Sequence, residues 1–184
     1  MRFRGLGRTA LLAGLLAMGC QETSTQVGLT SLLFVSPTAE ATLVSVLDVI
    51  EVGFDAPVAA GVMHPIALQV GDCPGPVVPG TWTRSPDGMA LRFSPTVPLS
   101  PGTRYSIHVG GGITDTQGAV VDLERHGLAE GGSWVTQAMV MGMPSTGMGM
   151  GMGSTLHSGP EWRYPNGQYG LSFSFTTAPT AATR

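Results

Sequence analysis

Residues 89–109 read Met89-Ala-Leu-Arg-Phe-Ser-Pro-Thr-Val-Pro-Leu-Ser-Pro-Gly-Thr-Arg-Tyr-Ser-Ile-His-Val109, which is the pattern of two β-strands joined by a proline-rich corner. Leu91 and Phe93 alternate with Ala90 and Arg92, and Tyr105, Ile107 and Val109 alternate with Ser106 and His108. A period of two is what a strand with one buried face shows. Between the runs, Pro95, Pro98, Pro101 and Gly102 exclude helix and impose turns. On this reading His108 faces outward into solvent.

The same pattern extends on both sides of this stretch. Ser85-Pro-Asp-Gly88 has the chemistry of a tight turn and links a strand at Thr81-Trp-Thr-Arg84 to the one that starts at Met89. Earlier strands are expected near Leu33-Phe-Val-Ser-Pro37, at Asp48-Val-Ile-Glu-Val-Gly-Phe54, with Ile50, Val52 and Phe54 inward, and at Ile66-Ala-Leu-Gln-Val70. Leu171-Ser-Phe-Ser-Phe-Thr-Thr177 alternates cleanly as the last strand. Short strands separated by proline and glycine, with almost no helical period, predict an all-β, antiparallel sandwich over residues 33–177. Residues 178–184 are left as a tail.

A tyrosine that enters a strand just after a Pro-Gly turn, as in Leu99-Ser-Pro-Gly-Thr-Arg-Tyr105, resembles the tyrosine corner of immunoglobulin-like sandwiches. Several further segments, in order, resemble the bacterial Ig-like domain of the S-layer SbsA type. They are Ser36-Pro-Thr-Ala-Glu-Ala41, Ile50-Glu-Val-Gly-Phe-Asp-Ala-Pro-Val58, Ser85 to Pro95, Ile113-Thr-Asp-Thr-Gln-Gly118 and Phe173-Ser-Phe-Thr-Thr177. The likeness covers about Val35 to Val121 plus the last strand, with Glu40 where that family usually has glycine. It implies an immunoglobulin-like β-sandwich serving as a non-catalytic envelope module, whether spacer, adhesion element or assembly element. Fold likeness alone does not fix function.

The chain has 184 residues and a formal net charge of −3. Arg2, Arg4 and Arg8 precede an apolar run, Ala10 to Met18, that ends in Gly19-Cys20. This is the pattern of an export signal, too short to span a bilayer. The small residue before a cysteine resembles the lipobox of bacterial lipoproteins, with Ala17 where leucine is usual. The expectation is a signal peptide over 1–19, lipidation of Cys20, and a flexible tether over 20–32. Acyl chains at about 0.8 kcal/mol per buried methylene would hold the domain to a membrane. Gln21, in place of aspartate, gives no inner-membrane retention signal as that rule works in enteric bacteria, so the outer membrane is expected. Cleavage would leave six of nine arginines against twelve acids, and there is no lysine. A formal charge of about −6 without a basic stripe excludes nucleic acid as a partner. With Cys20 lipidated, Cys73 would be the remaining thiol, so no disulfide framework is expected.

Residues 122–170 depart from the resemblance, replacing a short link by roughly fifty residues. Asp122 to Glu130 reads as one or two helical turns, Ser133 to Met143 as a strand, and the whole as a long hairpin insertion with a loose Met/Gly-rich part over 139–153. Trp134, Trp162, Tyr164 and Tyr169 on that hairpin are the expected contact surface for an envelope protein or polysaccharide, since aromatics suit interfaces. Six of the ten methionines, Met139, Met141, Met143, Met148, Met150 and Met152, stand two apart in two short runs. In extended chain such residues share a face about 7 Å apart. Their thioethers suit a soft ion, Cu(I) or Ag(I), and His157 adds an imidazole. The run resembles the methionine-rich loops of periplasmic copper-handling proteins, including the CopC family. That family's Cu(II) site, with an amino-terminal histidine and Asp-x-His, is excluded because Asp115-Thr-Gln117 carries glutamine and Cys20 holds the amino end. The other reading of the run is adaptable apolar filler.

Catalytic patterns are missing. There is no Gly-x-Ser-x-Gly elbow, His-Glu-x-x-His pair, phosphate-cradling loop or Cys-x-x-Cys. Gly110-Gly-Gly112 follows a strand but opens no helix, and Asp115 is expected to bond backbone amides in its own turn. The sequence therefore predicts no enzyme and no resident cofactor apart from the Cu(I) alternative.

Overall fold

The structure, a computed structural model, describes residues 29–61, 65–141 and 157–180. Its strands are, in chain order, β1 (Leu32–Ser36), β2 (Ala41–Val44), β3 (Ile50–Phe54), β4 (Ile66–Val70), β5 (Gly80–Arg84), β6 (Ala90–Pro95), β7 (Arg104–Val109), β8 (Ser133–Trp134) and β9 (Leu171–Thr177). They form two sheets, ordered β1-β3-β6-β5 and β2-β9-β7-β4, with the two-residue β8 added beside β9. This is an immunoglobulin-like sandwich in which alternation sets the register. Ile50 pairs with Phe93 and Val52 with Leu91 in the first sheet. In the second, Leu68, Ile107 and Phe173 lie side by side across three strands. Their inward side chains, with Phe54, Val109 and Phe175, are almost wholly buried between the sheets. Each contributes roughly 1.5–3 kcal/mol by leaving water.

The proline-rich corner behaves as read. The Tyr105 hydroxyl accepts a hydrogen bond from the Ser100 amide at 2.8 Å, and its ring stacks on Phe175 at 5.7 Å between centroids. Gly88, at φ 76°, closes the Ser85 turn, its amide donating to the Ser85 carbonyl at 2.9 Å. The strand β2 was not foreseen. It runs parallel to β9 and shows no alternation, because Thr42 and Leu43 are both exposed. Glu40 sits at φ 58°, a left-handed conformation that explains why glycine suits this position.

The insertion differs from its expected form. Residues 133–143 do not make one strand: β8 is followed by a short helix, α1 (Gln137–Met141). Gln-Ala-Met-Val-Met is a run of mostly good helix formers, and the Met139 amide bonds back to the Thr136 carbonyl. Nor do the described parts of the insertion stand off the sandwich. Val135 exchanges backbone hydrogen bonds with Tyr169 and Gly170, and a single 3₁₀ turn, Pro160–Trp162, folds back over the outer face of the second sheet. The Gly110-Gly-Gly112 run is the seat for that turn. A Cβ on Gly111 would lie 2.4 Å from the Tyr164 backbone, and one on Gly112 2.0 Å from the Glu161 carbonyl oxygen. The Asp122–Glu130 segment holds a turn in which the Glu130 amide bonds to the His126 carbonyl.

Candidate functional site

The outer face of the second sheet carries the even residues of β7, Ser106 and His108, beside Ala67 and Gln69 of β4. Strand alternation assigns such positions to solvent. Here the insertion covers them, and Gln69, Ser106 and His108 are fully buried. A second apolar cluster of Ala67, Val135, Val140, Trp162 and Tyr169 forms above the sheet, with Cys73 at its margin. The expectation of a solvent-facing His108 is thereby corrected.

His108 and His157 meet within this layer. Their ring centroids are 5.3 Å apart. Trp162 packs against both, at 4.4 Å from His108 and 4.3 Å, edge to face, from His157. The His108 Nε2 lies 2.6 Å from the Tyr169 carbonyl oxygen. A carbonyl only accepts, so Nε2 carries the proton and Nδ1 keeps a bare lone pair. Among the described residues that Nδ1 has no hydrogen-bond partner, and neither ring nitrogen of His157 has one. Burial pushes the His108 pKa down to about 3, the Tyr169 carbonyl opposing it in part. Burial lowers that of His157 as well. Both rings are therefore neutral near pH 7.

The four aromatic residues expected to form one contact surface are divided. Trp162 and Tyr169 are buried in the layer just described, so they are not a free surface. Trp134 and Tyr164, ring centroids 5.3 Å apart, are half-buried against the main core. The Tyr164 hydroxyl donates to the Asp122 carboxylate, and the Arg163 guanidinium lies 5.6 Å from the Tyr169 ring centre. Of the methionines, Met139 is exposed on a cleft of about 180 Å³ lined also by Cys73, Arg104, Trp134 and Ser172. Met141 ends α1. Met143, Met148, Met150, Met152 and Cys20 lie outside the described residues. The sequence gives His157 only as an accessory to the methionines, and nothing in its spacing pairs it with His108. The signals were the polar residue at 108 and the three adjacent glycines, which require something packed on them.

Other polar groups serve the architecture. Burial alone would raise the Asp115 pKa, but hydrogen bonds from the Ala119 and Gln117 amides and the Thr30 hydroxyl outweigh it and hold the carboxyl below its usual range. Arg104 is clamped by Glu40 at 3.0 Å and Asp72 at 2.7 Å on the surface. Burial pushes the Cys73 thiol up to about 12, far from a reactive thiolate. Among the described residues, no three His, Cys, Asp or Glu side chains come together as a metal-binding group.

A sequence profile described as a bacterial Ig-like domain matches residues 28–128. The chain belongs to that family. The bacterial Ig-like domain is a non-enzymatic fold, and the match ends at residue 128, within the first residues of the insertion. Among solved structures, the chain is similar to the S-layer protein SbsC at 18% identity and TM-score 0.37, covering 51% of this chain and 12% of that one. It is similar to an L,D-transpeptidase from Mycobacterium smegmatis at 21% identity and TM-score 0.36, over 50% of this chain and 39% of that one. It is also similar to CopC from Methylosinus trichosporium OB3b, at 11% identity and TM-score 0.39, over 84% of this chain and 99% of that one. No curated protein matches the chain.

Proposed function

We propose that this chain is a non-catalytic module of the cell envelope, anchored to the outer membrane through lipidated Cys20 and serving a structural, adhesive or protein-binding role. Its partner would be an envelope protein or polysaccharide. The observation that carries this reading is how the bacterial Ig-like domain deploys its reactive groups. Asp115 caps a turn, Arg104 is clamped by two acids and the Cys73 thiol is held protonated. At one end the sandwich also exposes apolar side chains. Leu47, Val49 and Val97 are 81%, 57% and 60% exposed, and Leu47 and Val49 border a depression of about 460 Å³ with Pro95 and Pro98. Clustered exposed apolar groups mark interaction sites.

Two measurements test the reading. Labelled palmitate should enter the wild-type chain and not Cys20→Ser, which should leave the membrane fraction; a labelled or membrane-bound Cys20→Ser would end the anchor. Crosslinking in whole envelopes should give an adduct that Leu47→Asp with Val97→Asp removes. An unchanged adduct would rule out this end as the contact surface.

A second reading, Cu(I) or Ag(I) binding by Met139, Met141, Met143, Met148, Met150, Met152 and His157, is favoured by one observation. The His157 imidazole, which follows the methionine run, is neutral and unpartnered among the described residues. Competition for Cu(I) against a colorimetric chelator checks it. Tight binding lost when all six methionines become leucine supports the reading, and equal weak uptake by both proteins ends it.

A further inference from the structure

We infer that His108 and His157 form a two-imidazole seat for one monovalent soft ion, Cu(I) or Ag(I), with the indole of Trp162 packed against it. The inference shares its ion and His157 with the second reading above, but puts His108 in place of the methionines, and both histidines lie within the described residues.

The first support is the state of His108. A metal-bound histidine commonly donates its other ring N–H to a carboxylate or a backbone carbonyl, which fixes the tautomer and points the free lone pair at the ion. His108 already has this arrangement. Nε2–H donates to the Tyr169 carbonyl at 2.6 Å, and Nδ1 is left bare.

The second support is separation. With metal–nitrogen bonds of about 2.0 Å and about 1.1 Å from nitrogen to ring centre, two imidazoles on one ion have centres about 6 Å apart when N–metal–N is straight and about 5 Å apart when it bends to a tetrahedral angle. The His108 and His157 centroids are 5.3 Å apart. A third support is energetic. A buried polar nitrogen without a partner costs about 1–3 kcal/mol, and this one cluster holds three such ring nitrogens, two of them bare lone pairs, one on each ring. An ion bound by both lone pairs removes most of that cost.

The charge of the ion follows from its surroundings. Val135, Val140, Trp162 and Tyr169 wall the layer, and no described trio of His, Cys, Asp or Glu supplies an anionic ligand set. Divalent zinc takes three or four protein ligands. Two neutral nitrogens and an aromatic ring suit a single positive charge instead, and an indole is the best ring for a cation. Imidazole binds copper readily, and a buried apolar site favours the softer oxidation state.

The test uses the full chain in detergent and Ag(I) alone as the probe, with the ring nitrogens of His108 and His157 followed by ¹⁵N NMR and affinity measured by titration. Saturation with Ag(I) is expected to shift one ring nitrogen of each histidine, and His157→Gln and His108→Gln should each weaken binding by at least about tenfold. Melting curves without Ag(I) show whether each variant is folded. If His108→Gln is not, His157→Gln and the spectra decide. Unmoved ring nitrogens at saturation, or wild-type affinity in folded His157→Gln, overturns the proposal. The six-methionine-to-leucine protein separates the two readings. Wild-type Ag(I) affinity in that protein upholds the histidine seat and removes the methionine site. Lost affinity there, with His157→Gln unaffected, does the reverse.

Discussion

The two faces of the second sheet are built on opposite principles. Its inner face presents Leu68, Ile107, Val109 and Phe173 to an apolar core. Its outer face presents Gln69, Ser106 and His108, equally buried, under a lid of Val135, Val140, Trp162 and Tyr169. The inner face leaves no polar atom to satisfy. The outer face leaves one or more on each of its three polar residues without a partner among the described residues. Such groups cost stability when buried, so the sandwich core holds the fold while the covered face draws on that stability. The two should therefore respond differently to truncation, acid and crowding.

The widest separation is expected from Phe173→Ala, which opens the inter-sheet core where the ring is 1% exposed. A loss of about 3–5 kcal/mol, seen as a lower denaturant midpoint with unchanged slope, would mark the sandwich as one cooperative unit. A loss below about 1 kcal/mol would mean the two layers are not the stabilising core.

Acid should act on the covered face next. His108 has its pKa pushed down to about 3 by burial, against about 6.5 in an unfolded chain. Between these values the unfolded state binds the extra proton, so stability is intact above pH 6.5 and falls as the pH drops below it. The slope is up to roughly 1.4 kcal/mol per pH unit for this one ring. Urea midpoints at pH 7.0, 5.5 and 4.5 measure it. His108→Phe should flatten the profile, and an equally steep profile in that variant would place the titrating group elsewhere.

A smaller effect is expected where the insertion docks. A Cβ at Gly111 meets the Tyr164 backbone at 2.4 Å, so Gly111→Ala should cost about 1–3 kcal/mol by overpacking. Limited proteolysis should then cut the insertion while the sandwich stays resistant. Protection equal to wild type would show that the insertion does not depend on this seat. Least of all, Tyr105→Phe removes the acceptor for the Ser100 amide and should lower stability by about 0.5–1.5 kcal/mol, checked by thermal melting.

The same contrast explains what could be read from the sequence. Strands whose alternation reports a real apolar face were legible: Ile50, Val52 and Phe54, or Phe173 and Phe175. So was the tyrosine corner, because Pro101-Gly102 and Tyr105 specify it locally. The parallel strand β2 was not legible, because Thr42 and Leu43 are both exposed and no period marks it. His108 was misplaced for a related reason. Alternation says that a residue leaves the core, and it does not say whether another layer waits on the far side. That layer was encoded about fifty residues later, in His157 and Trp162, and in the glycines of 110–112 that make room for them. The aromatic residues of the insertion were visible by composition, but composition does not tell a ring that meets a partner from one that closes its own roof.

The parallel pairing of β2 with β9 has a consequence for tension. Glu40 donates its amide to the Ser174 carbonyl, and Ala178 donates to Val44, so this seam ties the early part of the described chain to its late part. Two strands that run the same way and are drawn out from opposite ends slide along each other, straining all their cross-links together. A hairpin pulled apart at its open end loses them singly. The seam is thus placed to act as a clasp against pulling along the chain.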